Sequence, residues 1–301
     1  MANVITLPRP KSDLTMKDTG KVSWLKEYWG EGAAELLWDI DEVPEPDWLV
    51  EGIVVRQGLT LVYGASGVGK TTFCLHLIDA LQEGKSFFGR KCKKTKVLLI
   101  EQDQSPPILR GQKRKLGKPE KLAVVKTQIR WNNATRELDG NLEAVLTFKP
   151  DVVIIDAYTS LGIEDINHPS AGLIFDALRV LSQEYNCAFV LLHHTNRSGT
   201  QMGSGLNIAK MDSVLFLKQQ AENHGIKTVG VEQEKIKGDK CEDMKLFFDT
   251  NTLHMMIEET LKDKVFRLKD EGMTDAEVKT SVTGVKGDTV RKYLGEWTKE
   301  H

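Results

Sequence analysis

The sequence has few cysteines, no long hydrophobic run and almost no net charge, and each shortage argues against a class of protein. Its four cysteines are scattered, with no C-x-x-C pair: Cys74, Cys92, Cys187 and Cys241. Scattered cysteines in a chain of this length indicate reduced thiols rather than a disulfide framework. No apolar run approaches the roughly 20 residues of a membrane helix, and the first residues lack the apolar segment of a secretory signal. We therefore expect a soluble, cytoplasmic protein with no membrane partner.

The formal net charge is only -2, so the chain as a whole is not a basic nucleic-acid binder. Any contact with DNA or RNA must come from local basic patches. The 301 residues, 40% of them hydrophobic, suffice for one sizeable core with one or two small appendages.

The chain divides into three segments by composition. Residues 1–50 contain a polar tail and a predicted helix, in which Trp24, Trp29 and either Leu37 or Trp38 recur at roughly helical intervals. This Trp-rich helix packs on its own domain or on a neighbouring subunit, or it forms a partner-binding face. Residues 51–258 form the predicted core, and residues 259–301 are expected to form three short helices.

The core alternates apolar strands with helices, which predicts a mostly parallel sheet covered on both faces. The apolar runs are LTLVYG, VLLI, LAVV, VVII and AFVLL, with an amphipathic helix at residues 171–186. After about residue 210 the strands follow one another without helices, so we expect antiparallel hairpins that extend the sheet.

A glycine-rich turn between the first apolar strand and its helix matches the phosphate-binding pattern G-x-x-x-x-G-K-[ST]. The glycines let successive backbone N–H groups face phosphate oxygens, and the helix N-terminus adds partial positive charge. Lys70 is expected to bridge the β- and γ-phosphates, and the Thr71 hydroxyl to bind Mg²⁺. The predicted nucleotide-binding residues are Gly64, Ala65, Ser66, Gly67, Val68, Gly69, Lys70, Thr71 and Thr72.

An acidic residue ends each of two further strands. Asp156 follows the apolar run VVII, where a buried carboxylate is costly unless it serves a cation or a hydrogen-bond network. We assign it with Thr71 to the Mg²⁺ site. Glu101 and Asp103 follow VLLI, and their spacing of two places both carboxylates on one face. Either residue is a candidate general base, and the alternative is a pair of solvated acids.

These motifs, in this order, resemble the RecA superfamily, and within it the RepA-like hexameric helicases and related AAA_25-type ATPases. The resemblance spans roughly residues 47–255 and includes GASGVGKTT, VVIIDAYTSL and FVLLHHTNRSG. It implies a RecA-like P-loop core that uses ATP and Mg²⁺, with a Glu at the end of the second strand polarising the attacking water. Alignment favours Asp103 for that position, whereas side-chain reach favours Glu101, towards which we lean.

The resemblance also implies contacts with a neighbouring subunit and with DNA. Lys235 and Lys237 match the segment whose basic residues reach the neighbour's γ-phosphate, although exposed edge-strand lysines are equally consistent with the sequence. The Gly/Ser-rich loop 196–207 matches the position of a loop that contacts single-stranded DNA, and a plain flexible loop is the alternative. Its candidate contacts are Arg197, Ser198, Gly203 and Ser204.

His193 and His194 end the strand that the resemblance places beside the strand of Asp156. No further metal ligand lies near them in the sequence, which disfavours a metal site. The carboxyl end of this strand is expected to open onto the γ-phosphate. We therefore predict that His194 senses the phosphate and that His193 is a packing residue.

The last segment resembles a helix-turn-helix, with one helix after Thr274, a turn near Gly284 and a second helix from about Asp288. Arg291 and Lys292 on the second helix are candidate DNA contacts. The nearly even charge of this segment leaves a duplex-DNA site and a protein-docking unit as alternatives.

The sequence predicts an ATP-hydrolysing, DNA-directed motor, most simply a ring-forming helicase or a related replication or recombination ATPase. Its expected partners are single-stranded DNA and further copies of itself, in a hexameric ring or filament. The alternatives are a strand-exchange recombinase, a helicase loader and a nucleotide-switched binding protein. A partition ATPase is disfavoured because Ala65 and Ser66 stand where such proteins have an extra lysine.

Overall fold

The computed structural model describes residues 44–117, 122–126, 128–132, 134–135, 137–162, 172–195, 206–238, 240–257, 261–270, 272–282 and 287–300. A nine-stranded sheet forms its centre. The strand order across the sheet is β13 (Met255–Ile257), β12 (Met244–Asp249), β11 (Ile226–Ile236), β10 (Ser213–Asn223), β3 (Leu59–Gly64), β9 (Ala188–His194), β8 (Val152–Asp156), β4 (Val97–Glu101) and β5 (Ala123–Val124). This is the expected mixed α/β architecture of a RecA-like core.

Six neighbouring strands of this sheet run parallel. They are β5 (Ala123–Val124), β4 (Val97–Glu101), β8 (Val152–Asp156), β9 (Ala188–His194), β3 (Leu59–Gly64) and β10 (Ser213–Asn223). Their central members are almost wholly buried runs of branched residues, because helices cover both faces. The carboxyl ends of β3, β9, β8 and β4 therefore meet at one edge.

Three antiparallel strands extend the sheet beyond β10, as the loss of helical segments predicts. They are β11 (Ile226–Ile236), β12 (Met244–Asp249) and β13 (Met255–Ile257). Leu217 of β10 pairs with Gly64, the last residue of β3, so the rest of β10 continues past the end of that strand. The β10–β11 hairpin consequently projects on the side where the phosphate loop lies.

Helices pack on both faces of the sheet. One face is covered by α1 (Lys70–Glu83) and α2 (Pro106–Leu116), and the other by α3 (Gly140–Leu146) and α4 (Leu173–Glu184). A short helix, α5 (Leu206–Lys210), precedes β10. Each face has its own cluster of fully buried side chains, because alternate residues of each strand point to opposite faces.

The described core begins slightly before residue 51. Strand β1 (Trp48–Val50) pairs with β2 (Val54–Val55), and Leu49 and Val50 are fully buried in the cluster beside α1. The Trp-rich helix predicted within residues 1–50 lies outside the described residues.

A small hairpin and helix α3 were not anticipated from the sequence. Strands β6 (Trp131–Asn132) and β7 (Glu137–Leu138) pair antiparallel, and α3 follows directly with Asp139 capping its N-terminus. These elements are too short to produce a periodic signal.

Among the described residues, no helix is both long enough and apolar enough to cross a membrane.

The C-terminal segment forms three helices, α6 (Leu261–Asp270), α7 (Asp275–Ser281) and α8 (Gly287–Glu300). Helix α7 starts with a capping box in which Thr274 and Glu277 exchange side-chain and backbone hydrogen bonds. Val265, Val278 and Val290, one from each helix, are buried in a separate apolar cluster. The three helices thus share a small core of their own.

Candidate active site

The phosphate loop connects β3 to α1 along the path that the sequence predicts. Gly67 and Gly69 both have positive φ angles, 74° and 104°, which a residue with a Cβ adopts only at a cost. Helix α1 begins at Lys70, directly after Gly69. The turn therefore brings the backbone of residues 64–69 against the N-terminus of a helix, the arrangement that binds phosphate.

The ammonium group of Lys70 lies inside this loop and is almost fully buried. Its Nζ is 3.0 Å from the carbonyl oxygens of Gly64 and Ala65 and 3.1 Å from Nδ1 of His194. All three of its N–H donors thus have acceptors. Burial lowers the pKa of Lys70 to about 8, and the nearby Asp156 carboxylate partly offsets this decrease. A phosphate oxygen that enters the loop would replace one of these acceptors.

Thr71 and Asp156 meet at the first turn of α1. The Thr71 hydroxyl donates a hydrogen bond to Oδ2 of Asp156 at 2.7 Å, and Asp156 is buried at the end of β8. Burial raises the pKa of Asp156, and the hydrogen bond from Thr71 opposes that rise. A hydroxyl and a carboxylate are hard oxygen ligands of the kind that Mg²⁺ prefers. The pair therefore fits the predicted metal site.

Glu101 ends β4 directly opposite Asp156, its partner in the parallel ladder. Its Oε1 accepts hydrogen bonds from the backbone N–H groups of Asp103 and Gln104, both at 2.9 Å. Burial raises the pKa of Glu101 to about 7, and the Asp156 carboxylate adds to the rise. A half-buried carboxylate with this pKa suits a general base near neutral pH.

Asp103 occupies a different place from Glu101. Its side chain is half exposed, and Oδ2 lies 3.8 Å from Nε2 of His194. The two acids thus lie on different sides of the site, since Glu101 is beside Asp156 and Asp103 is beside His194. This placement agrees with the preference for Glu101, which side-chain reach first suggested.

Gln104 is a site residue that the sequence interpretation missed. Its Nε2 is 3.4 Å from both the Thr71 hydroxyl and Oε2 of Glu101, and its Oε1 accepts a hydrogen bond from Gln112 at 2.8 Å. Gln104 therefore connects the predicted metal ligand with the predicted base. Its position directly after Asp103 was the only available signal, and an uncharged side chain gave no reason to select it.

The two histidines have different surroundings because successive strand residues point to opposite faces. His193 is fully buried, and its ring lies 4.6 Å from that of Tyr158. His194 faces the phosphate loop on the other side of the sheet. The two rings therefore cannot bind one metal ion together, and only His194 reaches the site.

The tautomer of His194 follows from its neighbours. A lysine ammonium group has no lone pair, so Nδ1 of His194 must be the acceptor and Nε2 carries the proton. Burial and the charge of Lys70 lower the pKa of His194, while Asp103 opposes the effect. The imidazole is therefore neutral at physiological pH, with its N–H directed towards Asp103.

Comparison with protein families agrees with this geometry. The family model described as an AAA domain, AAA_25, matches residues 33–200, which is more than half of the chain. The chain belongs to the AAA_25 family. It is a P-loop ATPase, with the phosphate loop, metal-site pair and acidic strand end described above.

Further similarities of this AAA_25 protein come from solved structures. Among solved structures, it is similar to a KaiC-like protein from the hyperthermophilic archaeon Pyrococcus horikoshii, with 18% identity and a TM-score of 0.48. The match covers 71% of this chain and 95% of that one. No characterised protein matches its sequence.

The antiparallel extension of the AAA_25 protein contacts the phosphate loop from the side. Lys227, near the tip of the β10–β11 hairpin, donates a hydrogen bond to the Gly67 carbonyl at 2.9 Å. Because C=O and N–H point oppositely in a trans peptide, this contact fixes the orientation of the Gly67–Val68 peptide. The sequence interpretation missed Lys227, since 160 residues separate it from Gly67.

Replacing Gly69 with Ala should weaken nucleotide binding without unfolding the core. A Cβ there would lie 2.6 Å from Cε of Met255 and 3.0 Å from Cε1 of Phe248, and φ is 104°. The loop must therefore shift, at a cost of about 1–3 kcal/mol. Equilibrium binding of a fluorescent ATP analogue checks this. Gly111→Ala is the matched control, because a Cβ at Gly111 meets no atom within 4 Å; equal affinity in both variants would contradict the prediction.

Lys235 and Lys237 do not lie at the phosphate site of their own chain. Lys235 pairs with Val214 near the start of β10, and its Nζ contacts the carbonyls of Ile208 and Ala209. Lys237 lies 3.1 Å from Asp212. Both lysines are thus at the amino end of the parallel strands, so their predicted role requires the site of a neighbouring subunit.

The predicted nucleic-acid contacts are mostly outside the described residues. Arg197, Ser198, Gly203 and Ser204 lie there, because β9 ends at His194 and the described residues stop at Thr195. Arg291 and Lys292 are exposed on α8, where Arg291 pairs with Asp288 and Lys292 lies 3.8 Å from Glu296. These acids reduce the positive charge of the predicted recognition helix.

Proposed function

We propose that the chain is an ATP-driven motor that acts on single-stranded DNA, a ring-forming helicase of the RepA-like type or a related replication or recombination ATPase. The observation that supports this proposal most is the hydrogen bond between Lys70 and His194. It joins the phosphate-binding lysine to the end of β9, which precedes the Gly/Ser-rich segment 196–207 in the sequence. The predicted loop is too long at its end, because Leu206 and Asn207 already belong to helix α5.

Hydrolysis in this proposal uses the residues at the strand ends. Lys70 and the loop N–H groups bind the phosphates, and Thr71 with Asp156 would hold Mg²⁺, which would supply positive charge to the phosphate oxygens. Glu101 orients a water molecule and takes up its proton. Gln104 contacts both the Glu101 carboxylate and the Thr71 hydroxyl and thereby fixes their relative positions.

The histidine link supplies a route from the nucleotide to the DNA. When Lys70 donates a hydrogen bond to a phosphate oxygen instead of to Nδ1 of His194, the imidazole loses its hydrogen-bond donor and is free to reorient. Residue 196, where the predicted DNA-contacting segment begins, is only two residues from His194 in the sequence, so reorientation of the ring is the proposed signal to that segment. Cycles of binding and hydrolysis would thereby alter the grip on the strand.

Assembly into a ring is supported by the separation of the two ends of the sheet. The phosphate loop lies at the carboxyl end of the parallel strands, and Lys235 and Lys237 lie at the amino end. In a head-to-tail ring these two ends of adjacent subunits can meet, which would bring both lysines to the neighbour's phosphates.

A nucleotide-switched loader or binding protein is the second candidate. Lys235 donates to two backbone carbonyls and Lys237 pairs with Asp212 within the same chain. These contacts must break before either lysine reaches a neighbour. If they persist, hydrolysis stays slow and nucleotide binding serves only to gate assembly.

The deciding experiment measures ATP hydrolysis with and without single-stranded DNA, together with the molar mass in the presence of nucleotide. Stimulation by DNA and a mass near six subunits support the motor. A monomer or dimer whose hydrolysis is unaffected by DNA rejects it.

Replacing His194 with Ala should abolish the stimulation of hydrolysis by DNA and leave ATP affinity largely unchanged. The variant removes the contact between Lys70 and β9 but keeps every phosphate-binding group. Steady-state hydrolysis with and without a DNA oligonucleotide measures the effect. His224→Ala, an exposed histidine at the hairpin tip, is the matched control. Normal stimulation in His194→Ala would disprove the sensor role.

A further inference from the structure

Helix α2 has two chemically different sides. Leu109 and Leu116 are buried against the sheet, and Gln112 lies half-buried beside them. The outer side is strongly basic, because the helix contains four basic residues and no acidic one. In a chain whose net charge is -2, this is a local concentration of positive charge.

Three of these basic side chains have no acidic partner among the described residues. Arg110, Arg114 and Lys115 are exposed, and none forms an ion pair with any described residue. By contrast, Arg291 and Lys292 of α8 are each beside an acid of their own helix. Unpaired arginines one turn apart are suited to bind successive phosphate groups.

A depression on the outer side of α2 places an apolar surface next to the basic side chains. Its volume is about 340 Å³, and it is lined by Pro106, Pro107, Arg110, Gly111 and Arg114. Gly111 has no side chain, and a Cβ built there meets no atom within 4 Å. The depression therefore offers proline rings and bare backbone next to two guanidinium groups. A sugar or base that carries a phosphate fits this combination.

The same helix is joined to the catalytic residues. Gln112 donates a hydrogen bond to Oε1 of Gln104 at 2.8 Å, and Gln104 lies 3.4 Å from both Glu101 and Thr71. Arg110 and Arg114 each lie two residues from Gln112 in the sequence. A small displacement of α2 must therefore change the position of Gln104.

We propose that the outer face of α2, formed by Pro106, Pro107, Arg110, Gly111 and Arg114, binds the sugar-phosphate backbone of single-stranded nucleic acid. Its occupancy is transmitted through Gln112 and Gln104 to Glu101 and Thr71. The proposal rests on the proposed function, and it adds a contact surface next to the catalytic strand. It differs from the predicted sites in loop 196–207 and in α8.

Two variants test the surface by different means. Arg110→Ala/Arg114→Ala removes the charge, and Gly111→Leu fills the depression at constant charge. Leucine favours a helix over glycine by roughly 0.8 kcal/mol, so the fold of the second variant is not at risk. Both should weaken binding of an oligothymidylate about tenfold or more, as measured by fluorescence anisotropy.

The salt dependence separates the two effects. Loss of two phosphate contacts lowers the slope of log affinity against log salt by about 1.4, whereas Gly111→Leu leaves the slope unchanged. Lys115→Ala is the control for charge, since Lys115 does not line the depression. Wild-type affinity in both test variants overturns the proposal, and so does an equal loss in Lys115→Ala.

Gln112→Leu tests the coupling. This variant should bind the oligonucleotide normally but lose most of the stimulation by DNA, measured as the ratio of its own hydrolysis rates with and without DNA. Full stimulation overturns the coupling.

If wild-type protein hydrolyses ATP and binds DNA while the α2 variants bind equally well, only this inference fails. If wild-type protein binds no DNA, the proposed function fails too. A change in molar mass of Arg110→Ala/Arg114→Ala, without loss of DNA binding, would overturn it in favour of docking between subunits.

Discussion

Glu101→Gln should lower kcat for ATP hydrolysis about 10²- to 10⁴-fold and leave ATP affinity nearly unchanged. The amide keeps the size of the side chain and can still accept hydrogen bonds from the N–H groups of Asp103 and Gln104. It cannot take up a proton from water. Steady-state kinetics with an independent measurement of ATP affinity separates the loss of chemistry from a loss of binding.

Asp103→Asn is the matched control, since it removes the other candidate base. Asp103 is half exposed and its Oδ2 lies 3.8 Å from Nε2 of His194, so its replacement should reduce kcat much less. A larger loss in Asp103→Asn than in Glu101→Gln would reverse the assignment and agree with the alignment of the family motif.

The pH profile gives a second test of Glu101. A general base must be deprotonated, and the pKa of Glu101 is raised to about 7, so kcat/KM should rise with pH through that value. Lys70 must be protonated to bind phosphate, and its pKa is lowered to about 8, so kcat/KM should fall above that value. We expect a maximum between pH 7 and pH 8. Asp103→Asn should keep the acid limb.

Lys70→Ala should abolish measurable hydrolysis in every version of the function. The variant removes the buried ammonium group that lies among the carbonyls of Gly64 and Ala65 and the ring of His194. Loss of one such electrostatic contact in a site closed to water costs about 10²- to 10³-fold in rate. The loss of phosphate binding adds to this.

Hydrolysis assays and ATP binding by calorimetry measure the effect of Lys70→Ala. Lys85→Ala is the control, because Lys85 is an exposed lysine just after the far end of the same helix. Residual hydrolysis within tenfold of the wild type would show that the phosphate loop is not the catalytic site. The variant tests the site and does not separate a helicase from a loader.

The residues at the strand ends show how much of the site can be predicted from local sequence patterns. Buried apolar runs predicted β3, β4, β8 and β9, and their acidic or histidine ends predicted which residues would gather at one edge. Parallel strands bring their carboxyl ends together, so a linear pattern was sufficient to select Lys70, Asp156 and Glu101 for one site. His193 and His194 are separated for an equally local reason, the alternation of side chains along a strand.

Contacts between distant segments had no such signal. Lys227 reaches Gly67, and Met255 lies against Gly69, although more than 150 residues separate each pair. Neither Lys227 nor Met255 belongs to a motif. Lys227 arrives at the phosphate loop on the β10–β11 hairpin, and Met255 arrives on β13, the outermost strand of the antiparallel extension.

The sequence by itself therefore determined the class of the protein, a P-loop ATPase, because its chemistry depends on turns, strand ends and spacings of a few residues. Only the tertiary structure decided that Glu101 rather than Asp103 lies beside Asp156, and that Gln104 connects it to Thr71. It also decided that Lys235 and Lys237 lie at the end of the sheet opposite to the phosphate loop of their own chain. These facts depend on side-chain direction and on the pairing of distant strands, which residue patterns within one segment do not encode.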